Sequence, residues 1–358
     1  MIYLANGRAV PTEAGQFDHL YRNDGNHFTE ISKQTGIDGA YFTLGAMRWD
    51  FNSDGWPDLH VSNDYFGPDM LYVNNGDGTF TNIIRGAIPH SPRSSMGTVI
   101  GDINNDGLMD LMARDMLGST HYRRNVMLGE TSRTGWFLDV AEPRQYVQNA
   151  LCVNTGAGRM MEAAYQTGMA ASDWTWTPRM EDFDNDGRVD VFVTNGMLRD
   201  VQNADLGAYA DRVLGGGSPR WAKFWADQPM QKEANMAFRN LGNLRFERVA
   251  NQWGLGRSGV SLGVATADFD NDGKLDLVIN NADIPLSIYR NCFRTGNSIR
   301  VRLRGTVSNR FGPGATVRLK AGGLEQVRYL TMARGWLSSS EPILHFGLVW
   351  ARRRRLIF

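Results

Sequence analysis

Apolar and polar residues alternate along several short stretches of this chain, in a pattern that predicts β-strands. Four stretches read DLHVSN (58–63), DLMARD (110–115), DVFVTN (190–195) and DLVINN (276–281). Small or apolar stretches (LGAMRW, MGTVIG and LGVATA) precede three of them, and the aromatic DWTWTPRME precedes the remaining one. A period of two residues places successive side chains on opposite faces of a strand. The pattern therefore predicts paired strands with a short connection inside each pair.

An Asn/Gly-rich hairpin between apolar ends follows three of these pairs. LYVNNGDGTF (71–80) is the clearest copy, and ALCVNTGAG (150–158) and AFRNLGNLRF (237–246) are looser versions. Asn-Gly and Asp-Gly pairs supply the positive φ that tight hairpins require. Each unit thus reads strand, connection, strand, hairpin, strand. Such units cannot bury both faces alone, so we predict an all-β fold of stacked four-stranded blades, a β-propeller.

The connection inside each pair is an acidic loop with one repeated phrase. Loops 1 to 4 read DFNSDGWPD (50–58), DINNDGLMD (102–110), DFDNDGRVD (182–190) and DFDNDGKLD (268–276). Oxygen-bearing side chains stand at positions 1, 3, 5 and 9 around a glycine at position 6, which suits the hard oxygen ligands of Ca²⁺ in a tight loop. Without a cation, the carboxylates of one loop would repel each other. The alternative is a set of acidic turns satisfied by side-chain hydrogen bonds and water.

An EF-hand loop begins in the same way but is excluded by its ending. The EF-hand closes with a bidentate Glu at position 12, between two helices. Position 12 here is Val61, Ala113, Val193 or Ile279, all apolar and all inside the predicted strands. The closing carboxylate is therefore at position 9, and each loop joins strand to strand.

Two insertions lengthen the repeats. The first, at about 120–148, is rich in Arg, and the second, at about 198–234, is compatible with helices and contains GGGSP (215–219) and several Trp. The sequence of the second insertion is compatible with two roles: a cover over one face of the propeller, or a lid that binds a partner.

The first residues match the second half of a repeat. Residues 2–6 align with residues 59–63 of the strand after loop 1, so that Met1 stands at the place of a closing Asp. LYRNDGNHF (20–28) then repeats the hairpin. We therefore expect a fragment that begins in mid-blade.

Composition narrows the class of protein. The 38 basic and 38 acidic residues balance, which does not favour a nucleic-acid binder, and no stretch approaches the ~20 apolar residues that span a membrane. Cys152 and Cys292 lie in different repeats, so either a bridge or two buried thiols is compatible with the sequence. A chain that begins inside a blade would show no secretory signal, so the lack of one is uninformative.

The loops with their following strands resemble the FG-GAP and VCBS repeats of integrin-α-like β-propellers, over most of residues 1–292. SNRFGPGATVRL (308–319), the glycines at 322 and 323, and GWLSSSEPILHFGL (335–348) resemble the ASPIC/UnbV domain. The resemblance implies a propeller over 1–295, a small β-rich domain over 296–348 and an atypical basic tail over 349–358. Two departures are Pro313, where the family has an aliphatic residue, and the ending VWARRRRLIF, which indicates a truncated domain.

The same resemblance implies that positions 1, 3, 5 and 9 bind calcium through side chains and position 7 through its carbonyl. The predicted ligands are Asp50, Asn52, Asp54, Trp56 and Asp58 in loop 1; Asp102, Asn104, Asp106, Leu108 and Asp110 in loop 2; Asp182, Asp184, Asp186, Arg188 and Asp190 in loop 3; and Asp268, Asp270, Asp272, Lys274 and Asp276 in loop 4. Loops 1 and 2 carry Asn at position 3, so we expect them to bind calcium more weakly than loops 3 and 4.

Two function classes follow from these observations. The first is a non-catalytic extracellular module for binding or adhesion to a protein or glycan, located outside the cell, in the periplasm or on a cell surface, where weak calcium sites find enough ion. The second is a carbohydrate-active or other enzyme with its site on the propeller face or in the central channel. The carboxylates that can be grouped all belong to the loops, and HExxH and P-loop motifs are missing, so binding is favoured. SDWTWTPR (172–179) is expected to pack inside a blade rather than to stack a ligand, and His345 is expected to be structural.

Overall fold

Strands dominate the computed structural model, which describes residues 2–4, 17–65, 67–128, 142–293 and 296–348. The N-terminal sheet and four blades follow in chain order. The N-terminal sheet has β1 (Ile2–Leu4), β2 (His19–Asn23) and β3 (Phe28–Glu30); blade 1 has β4 (Phe42–Trp49), β5 (Asp58–Asp64), β6 (Met70–Asn74) and β7 (Phe80–Asn82); blade 2 has β9 (Thr98–Gly101), β10 (Asp110–Ala113), β12 (Ala150–Asn154) and β13 (Met160–Glu162); blade 3 has β14 (Thr175–Glu181), β15 (Asp190–Asn195), β17 (Met236–Asn240) and β18 (Phe246–Arg248); and blade 4 has β20 (Ser261–Ala267), β21 (Asp276–Asn281) and β22 (Ser287–Tyr289).

Each acidic loop closes an antiparallel pair at the same register. The residue before position 1 pairs with position 9 in all four blades, as Trp49 does with Asp58 and Glu181 does with Asp190. Position 9 is therefore the first residue of the second strand. The predicted strand–loop–strand unit is confirmed.

The blades stack through their first strands, where β4 contacts β9, β9 contacts β14 and β14 contacts β20. Apolar side chains fill the space between neighbouring blades, for example Trp49 with Leu111, Val153 with Phe238, and Phe192 with Leu277. The four blades form a β-propeller, as the repeat pattern predicts. The N-terminal sheet packs Leu20 and other apolar residues against blade 1, and its strand order is that of the last three strands of a blade.

Helices are few and short in the described chain. They are α1 (Ser32–Thr35), α2 (Ile84–Ala87), α3 (His121–Leu128), α4 (Ala204–Leu214) and α5 (Pro219–Asp227). The last two confirm the helical expectation for the second insertion: Asn203 caps α4 by accepting from Leu206 N, and Ser218 caps α5 ahead of Pro219. None of the described helices has the length and apolarity needed to cross a bilayer.

Two small pairs connect the blades at their edges: β8 (Ser91–Pro92) with β11 (Gln145–Tyr146), and β16 (Glu233–Ala234) with β19 (Ser258–Gly259). The expected C-terminal β-rich domain is also present, as β23 (Asn297–Val301) paired with β26 (Leu344–Leu348), and β24 (Thr316–Ala321) paired with β25 (Leu324–Tyr329). The basic tail from 349 and residues 129–141 of the first insertion lie outside the described residues.

A segment of the C-terminal domain crosses the first strands of the blades. Gly335 N donates to Thr98 O of β9 at 2.6 Å, and Thr177 Oγ1 of β14 donates to Trp336 O at 3.1 Å. Val264 N of β20 donates to Ser338 Oγ at 3.2 Å. In a propeller the first strands line the centre, so this segment, residues 334–339, occupies the central side of blades 2 to 4.

Candidate metal centres

The carboxylate at position 9 fastens each loop to its own blade. In loop 1, Asp58 Oδ2 accepts from Phe51 N at 2.7 Å and Oδ1 accepts from Asn74 N at 2.8 Å. Asp110, Asp190 and Asp276 each accept the same two bonds, from position 2 and from an Asn that follows or ends the third strand. All four are buried. The closing Asp therefore has a structural role whether or not a metal is bound.

The carboxylate at position 1 stabilises the turn of each loop by accepting two backbone hydrogen bonds. In loop 3, Asp182 Oδ1 accepts from Asp186 N at 3.0 Å, and Oδ2 accepts from Gly187 N at 2.8 Å; the other loops repeat both bonds. The glycine at position 6 has φ between 83° and 91° in the four loops, a region that disfavours side chains. Glycine at this position is what allows the loop to fold back over its first carboxylate.

Positions 3 and 5 complete the turn. Oδ1 of position 3 accepts from the backbone N–H of position 5, and Oδ1 of position 5 accepts from that of position 7. Side chains thus converge on a common centre. One carboxylate oxygen from each of Asp182, Asp184 and Asp190 lies within 4.8 Å of the others, and Asp268, Asp270 and Asp276 form an equivalent group.

Adjacent loops also contact each other. Asn105 at position 4 of loop 2 donates to Gly187 O of loop 3 at 3.1 Å, and Asn185 at position 4 of loop 3 donates to Gly273 O of loop 4 at 3.2 Å. The predicted ligands do not include position 4, although Asn at that place in loops 2, 3 and 4 is a visible signal. Loops 2, 3 and 4 therefore lie side by side on one face of the propeller.

Burial raises the pKa of several loop carboxyls above the ordinary value of 3.8. The pKa of Asp182 rises to about 7, chiefly through burial, and those of Asp58 and Asp102 rise to about 6 for the same reason. Burial also raises the pKa of Asp190 well above its usual range, with the charge of Asp184 adding to the effect. Closely spaced buried carboxylates are costly as anions, and a bound divalent cation would favour the charged forms.

This donor set fits a calcium ion. The converging groups are carboxylate and amide oxygens, which are hard ligands, and several are buried where an unpaired charge is unfavourable. The structure brings the carboxylates of positions 1, 3 and 9 together in loops 3 and 4. Position 5 of those loops, and the side chains of loops 1 and 2 with Asn52 and Asn104 at position 3, remain predicted ligands. The carbonyls of Trp56, Leu108, Arg188 and Lys274 remain predicted ligands.

The C-terminal domain covers loops 3 and 4. Gly347 N donates to Asp182 Oδ2 at 3.1 Å, and His345 Nε2 lies 3.2 Å from Gly273 O. Arg300 Nη1 on β23 lies 3.1 Å from Asp268 Oδ2. Burial lowers the pKa of His345. His345 thus sits as a packed residue between the two domains, in agreement with its expected structural role.

A second polar cluster lies outside the loops, where the two insertions meet. Arg123 Nη1 of α3 lies 2.8 Å from Asp200 Oδ2, and its Nη2 lies 3.5 Å from Glu233 Oε1. Asp173 accepts from Ser119 N at 2.7 Å and from Ser119 Oγ at 2.6 Å. Burial, together with the charge of Asp173, raises the pKa of Glu233 to about 7. Sequence analysis misses this cluster because its members are far apart in the chain and share no motif.

The remaining sequence expectations concern cysteines and tryptophans. Both cysteines are free; Cys152 is buried, but Cys292 is exposed, so neither the bridge nor a pair of buried thiols is correct.

Trp174 and Trp176 are buried, and the ring centroids of Trp176 and Trp336 are 4.5 Å apart. This stretch is therefore buried in packing, as expected, but part of that packing is against the C-terminal domain rather than inside the blade.

Comparisons with known proteins agree with the repeats. Residues 50–113 and 224–279 match the FG-GAP-like repeat, and residues 305–355 match the ASPIC and UnbV model. Cartilage acidic protein 1 of Homo sapiens is 26% identical over 330 residues, which are 89% of this chain and 40% of that protein. The Xenopus tropicalis protein is 26% identical over 354 residues, 96% of this chain and 46% of that protein. The chain thus spans less than half the length of these relatives.

Solved structures resemble the chain only distantly. An Agrocybe aegerita lectin that recognises non-reducing terminal N-acetylglucosamine aligns with a TM-score of 0.37 at 14% identity, over 92% of this chain and 76% of that chain. The rhamnogalacturonan lyase YesW aligns with a TM-score of 0.32 at 13% identity, over 95% and 55%. Likeness at this level carries no argument about function. The sequence matches show that this chain carries FG-GAP-like repeats followed by an ASPIC and UnbV segment, and that it is homologous to cartilage acidic protein 1.

Proposed function

We propose that this chain is a calcium-binding β-propeller that acts outside the cell as a non-catalytic module for binding or adhesion to a protein or a glycan. The observation that carries the proposal is loop 3, where the buried side chains of Asp182, Asp184 and Asp190 bring oxygens within 4.8 Å of one another. Three buried carboxylates in such proximity are unfavourable without a cation or protons.

The arrangement of the loops supports a stabilising role for the ion. Calcium takes six to eight oxygen ligands at about 2.3–2.6 Å, and each loop supplies carboxylates from both ends of a turn. The inter-loop bonds from Asn105 to Gly187 and from Asn185 to Gly273 join neighbouring loops. An ion in one loop would therefore stiffen a continuous face that also supports the C-terminal domain.

The centre of the propeller favours recognition over catalysis. Residues 334–339 cover the inner strands of blades 2 to 4 through contacts of Gly335, Trp336 and Ser338. This cover restricts the access of a substrate to the inner strands of these blades. The outer faces and the loops between strands remain as the surfaces that could meet a large partner.

The alternative is an enzyme that uses the cluster of Asp173 and Glu233, because paired carboxylates with a raised pKa are typical of acid–base sites. Here, however, the oxygens of both side chains accept bonds from the protein itself: Asp173 from Ser119, and Glu233 from Gln231 and from Trp174 N at 2.7 Å. This bonding supports a role in fixing the two insertions to the blades. The cluster remains the place to mutate if a reaction is found.

Homology to cartilage acidic protein 1 supports an extracellular location. Calcium sites of the weak extracellular type fill where the ion is millimolar. The chain covers 40% and 46% of the human and Xenopus relatives, so the partner is proposed only as a class, protein or glycan.

Thermal unfolding of the purified chain in EDTA, calcium or magnesium tests the metal. A ligand that binds only the folded state adds RT ln(1 + [L]/Kd) for each site, about 2.7 kcal/mol at 100 Kd. We expect calcium to raise Tm strongly and magnesium to raise it weakly. A cooperative transition indifferent to calcium would overturn the metal assignment. Screening immobilised glycans and matrix proteins with and without calcium tests recognition, and turnover of a glycan would favour the enzyme instead.

A further inference from the structure

Two arginines reach into the acidic loops in the same way. Arg239 Nε lies 2.7 Å from Oδ2 of Asp184, at position 3 of loop 3, and Arg290 Nε lies 2.6 Å from Oδ2 of Asp270, at position 3 of loop 4. In both cases Nη2 lies 3.7 Å from Oδ2 of position 5, which is Asp186 or Asp272. Because the same arginine contact occurs in two separate blades, chance does not explain it.

The register of the blade fixes both arginines. Each directly precedes the Asn whose backbone N–H donates to the position 9 carboxylate: Asn240 to Asp190 at 2.8 Å, and Asn291 to Asp276 at 2.7 Å. Because that bond ties the hairpin to the loop, the preceding side chain lies beside the loop. This position is called the hairpin position below.

Loops 1 and 2 show what happens when the extra carboxylate is missing. Their hairpin positions are Val73 and Val153, which precede Asn74 and Asn154. Their position 3 is Asn rather than Asp. Within this one chain, therefore, Asp at position 3 occurs with Arg at the hairpin position, and Asn occurs with Val.

Charge explains why Asp at position 3 occurs together with Arg at the hairpin position. Loops 1 and 2 have three carboxylates each at positions 1, 5 and 9, and loops 3 and 4 have a fourth at position 3. One guanidinium beside each of loops 3 and 4 offsets the fourth carboxylate. Arg188 and Lys274, at position 7, add a further cation 3.3 Å from Asp186 and 2.5 Å from Asp272, so the net charge around loops 3 and 4 is no more negative than the net charge around loops 1 and 2.

We propose that Arg239 and Arg290 set the calcium affinity of loops 3 and 4 by balancing their fourth carboxylate. Each arginine holds position 3 in place without metal and, as a like charge beside the ion, weakens calcium binding. Loops 3 and 4 then bind calcium no more tightly than loops 1 and 2 do, against the expectation from counting carboxylates. The calcium part of this inference rests on the proposed function.

The test uses the chain's own second blade as the template. Arg239→Val places the residue of blade 2 at the hairpin position of blade 3, Asp184→Asn places that of loop 2 at position 3, and the double variant restores the pairing seen in blade 2. Hydrogen exchange of peptides that cover 182–190, followed during a calcium titration of the full chain, reports on loop 3. Peptides that cover 268–276 serve as the internal control, and Arg248→Ala, at an exposed arginine on β18 of the same blade, controls for the loss of a positive charge.

We expect Arg239→Val to move the calcium midpoint of loop 3 about two- to fivefold lower, the size of a partly exposed charge pair, while loop 4 is unchanged. The double variant should return close to the wild-type midpoint. A midpoint that is unchanged or higher in Arg239→Val would overturn the proposal, as would an equal shift in Arg248→Ala.

Exchange in EDTA separates this inference from the calcium assignment. If the wild-type loops do not respond to calcium, the proposed function fails, but charge balance is still tested without metal. Arg239→Val should then exchange faster over 182–190 than the double variant, because its fourth carboxylate is left unbalanced. Equal exchange in the two variants would overturn the charge-balance argument.

Discussion

The backbone N–H of Gly347 donates a 3.1 Å hydrogen bond to Oδ2 of Asp182, which joins the last described strand of the C-terminal domain to the first carboxylate of loop 3. The same oxygen accepts from Gly187 N within the loop. A Cβ on residue 347 would collide with this carboxylate and with the backbone of Asn185. The glycine of the HFGL stretch is thus required by a contact between the two domains. A change in loop 3 would therefore affect both the propeller and the C-terminal domain.

Substitution Gly347→Ala tests this contact. The added methyl group must push β26 away from loop 3, so we expect a loss of about 1–3 kcal/mol, the range for overpacked sites, and faster hydrogen exchange over 344–348. Thermal unfolding and exchange measure the two effects. Gly207→Ala in α4, where a Cβ would have open space, is the matched control and should be neutral or slightly stabilising. Equal stability of Gly347→Ala and wild type would show that the domains do not depend on this contact.

The raised pKa of Glu233 predicts that stability depends on pH through a group outside the metal loops. Its folded-state pKa of about 7 lies above the ordinary 4.5, so its contribution to stability is complete below about pH 4.5 and is lost as the pH rises through 7. Glu233→Gln removes this titration. The free energy of unfolding of the variant relative to wild type should therefore rise between pH 5 and 8, by at most about 3 kcal/mol. Urea unfolding in EDTA at several pH values measures it, and a constant difference would contradict the raised pKa.

Local patterns made much of this architecture predictable. The period of two, the loop phrase and the glycine at position 6 are visible in adjacent residues, and the structure brings the carboxylates of positions 1, 3 and 9 together in loops 3 and 4. The helices of the second insertion were also predictable from composition.

Contacts between distant residues were not predictable. The bond between Gly347 and Asp182 joins residues in different domains, and the ion pair of Arg123 with Glu233 joins the two insertions. Neither has a spacing or motif, since each depends on how complete elements pack. Arg239 is visible beside Asn240 in the sequence, but its contact with Asp184 requires the register of β17 against β15.

Position 9 and position 5 of loop 3 should respond differently to substitution. Asp190 accepts two backbone bonds and is fully buried, whereas Asp186 is less enclosed and accepts from Arg188 N. Asp190→Ala should lower stability by about 2–4 kcal/mol even in EDTA, because two buried N–H groups lose their acceptor. Asp186→Asn should change stability little in EDTA but reduce the stabilisation by calcium. Paired thermal melts measure both, and a variant of Asp190 that loses stability only in calcium would make it a ligand without a structural role.

The ion pair of Arg334 with Glu181 tests whether the C-terminal segment is an integral part of the propeller centre. Both residues are buried, Arg334 Nη1 donates to Glu181 Oε1, and Arg334 O accepts from Arg179 Nη1 at 3.0 Å. Glu181→Gln leaves a buried guanidinium without its counter-charge, so we expect a loss of about 3–5 kcal/mol and a single, earlier unfolding transition for both domains. Arg85→Ala, which removes an exposed pair with Glu142, should cost less than about 1 kcal/mol. If Glu181→Gln instead splits the melt so that only the C-terminal domain unfolds early, the segment is a docked appendage and the blades are stable without it.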